Sequence, residues 1–200
     1  MFDMGKMKRS TIIWIVVGAV VLIFLLWFMG SYNRFVTLDQ DINGKWSEVE
    51  NQYQVQAEKI PNLVSSVSSQ VGVETKFVKD VIDARTKWQS SAGTSQLARD
   101  TAGQQMNSGI NAFVNSVAEN YPTLQASEGY TALRDEMVGM QNRIGTARGR
   151  YITSIQAYNT AIKRFPGNII AGMFGFSGKD YYKAEAGSLT TPSLGTGTLP

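Results

Sequence analysis

The side chains that carry most protein chemistry are absent from this chain of 200 residues, or placed where they cannot converge. It has no cysteine and no histidine. Disulfides, zinc fingers, thiolate catalysis and haem ligation by histidine are therefore excluded. A helical bundle can host a di-metal carboxylate centre, but that centre is built from Glu and Glu-x-x-His pairs. Without histidine it cannot be assembled. Carboxylate-only binding of magnesium or calcium needs an acidic cluster of loop-type spacing, and the sequence shows none. Asp135 and Glu136 are neighbours on a predicted helix, so they point in different directions. There is no phosphate-cradling glycine loop and no G-x-S-x-G elbow. No catalytic, cofactor-binding or metal-binding residue is assigned, no cofactor is implied, and the chain is expected not to be an enzyme.

What remains is chemistry of contact. Pro61-Asn62 interrupts an apolar helical pattern. Asn62 either meets a partner at a kink or satisfies a backbone group that the proline frees. Asn159 and Arg148 lie beside an apolar stripe, where a buried polar residue can fix the register of helices in an assembly; Asn159 is assigned that role. The segment Gly167–Phe176, GNIIAGMFGF, is glycine-rich and aromatic. With Phe165, Met173, Phe174 and Phe176 it can enter a membrane surface, pack on a neighbouring subunit or fold back over its own bundle.

The element that must position all of this is Ile12–Met29, IIWIVVGAVVLIFLLWFM, which contains no charge. Eighteen helical residues at a rise of 1.5 Å cover about 27 Å, close to the thickness of a bilayer's hydrocarbon core. Trp14 and Trp27 lie near its ends, where indoles favour the headgroup level. A cleaved signal peptide has a shorter apolar core and a small-residue cleavage site, and Phe28-Met29-Gly30-Ser31 matches that site poorly. A buried core helix would need a large partner surface. The stretch reads as a single transmembrane anchor without a GxxxG seam.

Charge follows the anchor. The leader Met1–Arg9 carries Lys6, Lys8 and Arg9 against Asp3, and the remainder is nearly neutral, with 16 basic and 15 acidic residues. A nucleic-acid interface, which needs a basic face, is not supported. Basic residues flank the cytoplasmic end of a membrane helix. Three precede the anchor, and Arg34 and Lys45 follow it, which places the N-terminus inside and the domain outside.

Beyond the anchor the apolar period is helical. Phe35, Leu38, Ile42, Trp46, Val49, Tyr53, Ala57, Ile60, Val64, Val67 and Val71 recur at intervals of three and four. Pro61 is expected to kink or split this rod, and Gly72 to end it. A second helix is predicted over Glu74 to Ser91, with Phe77, Val78, Val81, Ile82, Arg85 and Trp88 on one side. A third runs from about Gln96 to Asn120, capped by Thr94 or Ser95, with Leu97, Ala102, Met106, Ile110, Phe113, Val117 and Tyr121 as its stripe; Gly103 and Gly109 should weaken it. A fourth runs from Ser127, its N-cap, to Phe165, with an unbroken stripe from Tyr130 through Ile162 to Phe165; Pro166-Gly167 stop it. Gly145 and Gly149 beside that stripe either admit another helix or mark a local weak spot. No segment alternates with period two for long, so no sheet is expected.

Several blocks together resemble the LemA family: Tyr32-Asn33, Trp46, Ile60-Pro61-Asn62-Leu63-Val64, Arg85, Arg148, Tyr151, Tyr158-Asn159, and the ending Phe165-Pro166, Ile169-Ile170-Ala171, Phe174-Gly175-Phe176. The resemblance spans about Gly30 to Tyr182. It implies a single-pass bacterial membrane protein with a helical-bundle domain and no established enzyme activity; magnetosome-associated proteins are among its members. The basic pair usual before the proline block is replaced here by Val55 and Gln56.

The expected architecture is all-α: a leader at 1–11, the anchor at 12–29, an elongated antiparallel bundle of about four long helices at 30–166, an apolar segment at 167–186 and a flexible tail at 187–200. The expected function is a membrane-anchored scaffold that self-associates at the bacterial envelope and organises or shapes membrane. The alternative is a tethered adaptor or receptor stalk. Its partners are the lipid bilayer and further copies of itself, or an envelope protein; nucleic acid is not among them.

Overall fold

The structure, a computed structural model, describes residues 9–71 and 75–181. The expected leader up to residue 8, the break at Gly72, the start at Glu74 and the tail from residue 182 lie outside the described residues. Five helices account for nearly all of the remainder: α1 (Arg9–Val71), α2 (Thr75–Ser90), α3 (Gln96–Asn120), α4 (Glu128–Lys163) and α5 (Gly167–Phe174). A short 3-10 turn, Pro122–Ala126, joins α3 to α4. Among the described residues there is no strand.

The anchor and the first bundle helix are one element. α1 is 63 residues long, about 95 Å at the helical rise. Every described side chain from 10 to 26 is exposed, and burial begins in earnest at Phe35. Seventeen successive exposed and largely apolar side chains on all faces cannot face water in a stable protein. This one apolar N-terminal helix fits a single-pass membrane protein. Pro61 does not split the rod, because α1 continues through it to Val71. The ring removes one backbone bond, and packing on either side, at Ile60 and Val64, both 1% exposed, holds the helix through the gap.

Paired residues give the direction of each neighbour. The Trp46 and Tyr151 rings lie 5.5 Å apart, and Lys59 reaches Glu136 at 2.8 Å. As numbers rise along α1 they fall along α4, so these two long helices are antiparallel. α2 and α3 form a second antiparallel pair, since Trp88 meets Arg99 and Ala84 approaches Gly109. The α1–α4 pair buries the predicted stripes, with Ile42, Val49, Ile60 and Val64 on α1 and Leu133, Met140, Ile144, Ile155 and Tyr158 on α4. Burying a side chain of this size stabilises by about 1.5–3 kcal/mol, so packing rather than helix propensity holds these rods.

The caps follow the chemistry of their residues. Ser95 accepts a hydrogen bond from the Ala98 amide at 3.3 Å, and Ser127 from the Tyr130 amide at 3.3 Å. Three stripe assignments are corrected. Leu97 is 62% exposed, and Phe165 is 80% exposed beyond the end of α4. Ile82 is exposed while Val81 and Trp88 carry the buried side of α2. On α3 the interior positions include Arg99, Asp100 and Gly103, which the apolar pattern did not mark.

Candidate membrane-proximal site

The most distinctive surface lies where α1 leaves the apolar stretch. α5 folds back against that part of α1 and buries Ile170 and Ala171. Its aromatic end makes a collar on α1. Phe174 lies 5.6 Å from the Phe28 ring and 4.9 Å from the Tyr32 ring. Phe176 lies 5.6 Å from Tyr32 and 5.4 Å from Phe35. Edge-on and tilted packing at these separations adds attraction beyond area burial. Gly167 makes the close approach of α5 feasible, because a Cβ there would lie 2.9 Å from the Ala161 carbonyl oxygen and 3.0 Å from the Phe35 ring. Gly175, in the left-handed region at φ 73°, ends α5. The following Phe176 amide donates to the Ala171 carbonyl at 2.9 Å, a glycine C-cap that turns the chain back along the bundle.

Asn159 pins the strap of chain beyond Phe176. Its side-chain amide donates to the Lys179 carbonyl at 2.7 Å, and its oxygen accepts from the Lys179 amide at 2.8 Å. It thereby mimics a strand partner for one residue of this C-terminal strap. The Lys179 ammonium pairs with Asp39 at 2.8 Å, which ties the strap to α1 as well as α4. On the outer side of this end, Phe165, Ile169 and Met173 are exposed, at 80%, 54% and 67%.

A second cluster lies deeper. The Asp100 carboxylate, 1% exposed, accepts from the Tyr53 hydroxyl at 3.1 Å, from Gln104 at 3.1 Å and from Arg148 at 3.2 Å. Burial pushes the Asp100 carboxyl above the usual carboxylate range, and the Arg148 guanidinium and the Tyr53 hydroxyl pull against it. Burial and the neighbouring carboxylate push the Tyr53 hydroxyl up. Next to it, Arg99 donates to Glu50 at 2.9 Å and to the Trp88 carbonyl, while its guanidinium lies 4.0 Å from the Trp88 ring centroid. These bonds cross-link α1, α3 and α4, and α1, α2 and α3. The Asp100 carboxylate is buried and hydrogen-bonded, while Glu50 and Arg148 keep contact with solvent, and the bonds fix the register of the helices they join. Among the described residues no three acidic side chains converge as a metal site.

A family model described as the LemA family matches residues 45–194. The chain belongs to the LemA family. Among curated proteins, it is similar to Magnetosome protein MamQ 2 of Paramagnetospirillum magneticum, at 27% identity over 206 residues, covering 90% of this chain and 76% of the relative. Magnetosome protein MamQ 1 of the same organism matches to the same extent. Magnetosome protein MamQ of Magnetospirillum gryphiswaldense is 25% identical over 203 residues, covering 88% and 75%.

In this LemA protein the predicted site residues fall into separate places. Trp14 is exposed within the apolar stretch and Trp27 half-buried at its bundle end. Phe174 and Phe176 come together with α1, while Met173 stays outside. Asn159 holds the chain's own strap, an intramolecular role where register between copies was expected. Pro61 is half-buried and Asn62 exposed; among the described residues no hydrogen bond ties the Asn62 side chain to the backbone. Gln56, at one of the positions where the resemblance implies a basic pair, is fully buried and donates to Asn107 at 2.6 Å. An arginine or lysine would not fit there unpaired. Gly145 and Gly149 face open space, so neither admits another helix of this chain. Sequence reasoning missed Asp100, Arg99 and Tyr53 as a unit; the signal available was the charged pair Arg99-Asp100 in a helix whose other charge, Glu119, lies at its far end.

Proposed function

We propose that this protein is a non-enzymatic, membrane-anchored helical scaffold that self-associates at the bacterial envelope and organises or shapes the membrane there. Its N-terminus faces the cytoplasm, and the bundle rises from the opposite leaflet. One observation carries the reading. A single rigid helix runs from the anchor into the bundle seam, and α5 is fastened beside its exit with Phe165, Ile169 and Met173 outward. An apolar shelf at that height meets lipid or another copy of the chain, and no hinge separates it from the anchor. Phe174, half of whose surface is exposed, extends the shelf. The similarity to proteins named for the magnetosome supports a role at a membrane structure. Self-association has an available face in α4, where Gly145 and Gly149 leave room for a neighbouring helix.

The test is the mass of the particle after gentle extraction in native lipid. A defined assembly of many copies is expected. A single copy that co-purifies with one other envelope protein would instead establish the adaptor reading and overturn the scaffold.

A further inference from the structure

A groove of about 470 Å³ opens on the flank of the α1–α4 pair, at the same membrane-proximal end. Its α1 wall runs from Trp27 to Leu38, and its other wall runs along α4 to Phe165 and Gly167. Two arginines line it, Arg34 from α1 and Arg164 from the end of α4, both exposed. Among the described residues neither forms an ion pair with a carboxylate. The groove thus offers two positive charges to an anion without a competing carboxylate partner. The groove is also apolar at one side, where Trp27 and the exposed Phe165 line it.

Height decides which anion. Trp27 lies within the apolar run, and Arg34 comes five residues after Met29, about 7.5 Å farther along the helix. The polar layer on each side of a hydrocarbon core is roughly 5–7.5 Å deep. The Arg34 backbone therefore stands at the outer edge of the headgroup layer, with a side chain long enough to reach back into it, while Trp27 stands at the acyl boundary. Since α1 is continuous here, the relation between the two heights is fixed. A ligand matching both ends has an anionic head and an apolar body, and the bilayer supplies one at that depth.

We propose that this groove seats one anionic phospholipid of the leaflet nearest the domain, its phosphate between Arg34 and Arg164 and an acyl chain along Trp27 and Phe165. The proposal rests on residues 12–29 spanning the bilayer. It makes the end of the bundle a reader of lipid charge, so that the anchor selects its surroundings.

The test uses the full chain carrying Trp14→Phe, which leaves Trp27 as the tryptophan at membrane height. Trp46 and Trp88 are buried in the bundle, and Trp46 is about 25 Å beyond Met29 along α1. The protein is reconstituted in vesicles of equal parts phosphatidylcholine and phosphatidylglycerol, with brominated acyl chains on one lipid or the other. Brominated phosphatidylglycerol is expected to quench Trp27 about twofold more strongly than brominated phosphatidylcholine. Arg34→Gln with Arg164→Gln should abolish that preference while the helical signal is unchanged. Equal quenching by the two lipids overturns the seat and leaves the anchor standing, as does a preference that survives the double substitution. No quenching by either overturns the anchor as well.

Discussion

Asp100 is the residue on which three helices meet, and its carboxyl is pushed up by burial. A carboxyl whose folded value is raised holds its proton more firmly in the folded state. Its contribution to stability is then fully present below the unfolded carboxylate value and is lost as pH rises from there to the folded value. Asp100→Asn keeps the shape and cannot ionise. The stability difference, wild type minus variant, should therefore shrink as pH rises through that window, read as unfolding midpoints of the full chain in detergent. A difference that grows with pH would contradict the assignment. The sequence offered the charged pair Arg99-Asp100 as a signal, but not its partners. Tyr53 and Asp100 are 47 residues apart, and the adjacent charges Arg99 and Asp100 read as solvated surface unless the fold shows that both turn inward. Asn159 teaches a related lesson. Its place beside the α4 stripe was legible, but its partner is the backbone of a strap 20 residues later, and no side-chain pattern announces a backbone partner.

At the scale of elements, spacing did most of the work. Intervals of three and four gave α1, α3 and α4, with most of the interiors of α1 and α4 and part of that of α3, and serine caps fixed two of the starts. The exceptions have physical causes. Pro61 lost to packing on both sides of it, and α5 was readable as apolar but not as folded back, because its partners Phe28, Tyr32 and Phe35 belong to a distant part of the chain. The glycines separate two opposed effects. Replacing glycine by alanine in an exposed helix interior gains about 0.5–1 kcal/mol. At Gly145 a new Cβ meets nothing within 4 Å, so Gly145→Ala should raise stability by about that amount. At Gly103 the Cβ would come within 2.6 Å of the Tyr53 ring, which is fully buried and bonded to Asp100. Overpacking of this kind costs about 1–3 kcal/mol, more than the propensity gain. Gly103→Ala should therefore lower the thermal midpoint while Gly145→Ala raises it. Two shifts of the same sign would show that the close contact between Tyr53 and α3 is wrong.

The whole molecule is a rod with an apolar half and a packed half, joined without a hinge. That division was legible from composition alone: an uncharged run of membrane length followed by a nearly neutral domain with periodic stripes. Gly30, the one helix-weakening residue between Met29 and Phe35, is helical here, so the two parts are continuous. What composition could not give is the height of the shelf above the apolar run, which depends on where α5 docks. The scaffold, the shelf and the lipid seat all require residues 12–29 to lie in a bilayer. The most direct measurement is alkaline extraction of membranes from cells making the full chain, beside cells making a chain without residues 12–29. The full chain should stay with the sedimented membranes while the shortened one is released into the supernatant; a full chain released by alkali alone would contradict the account.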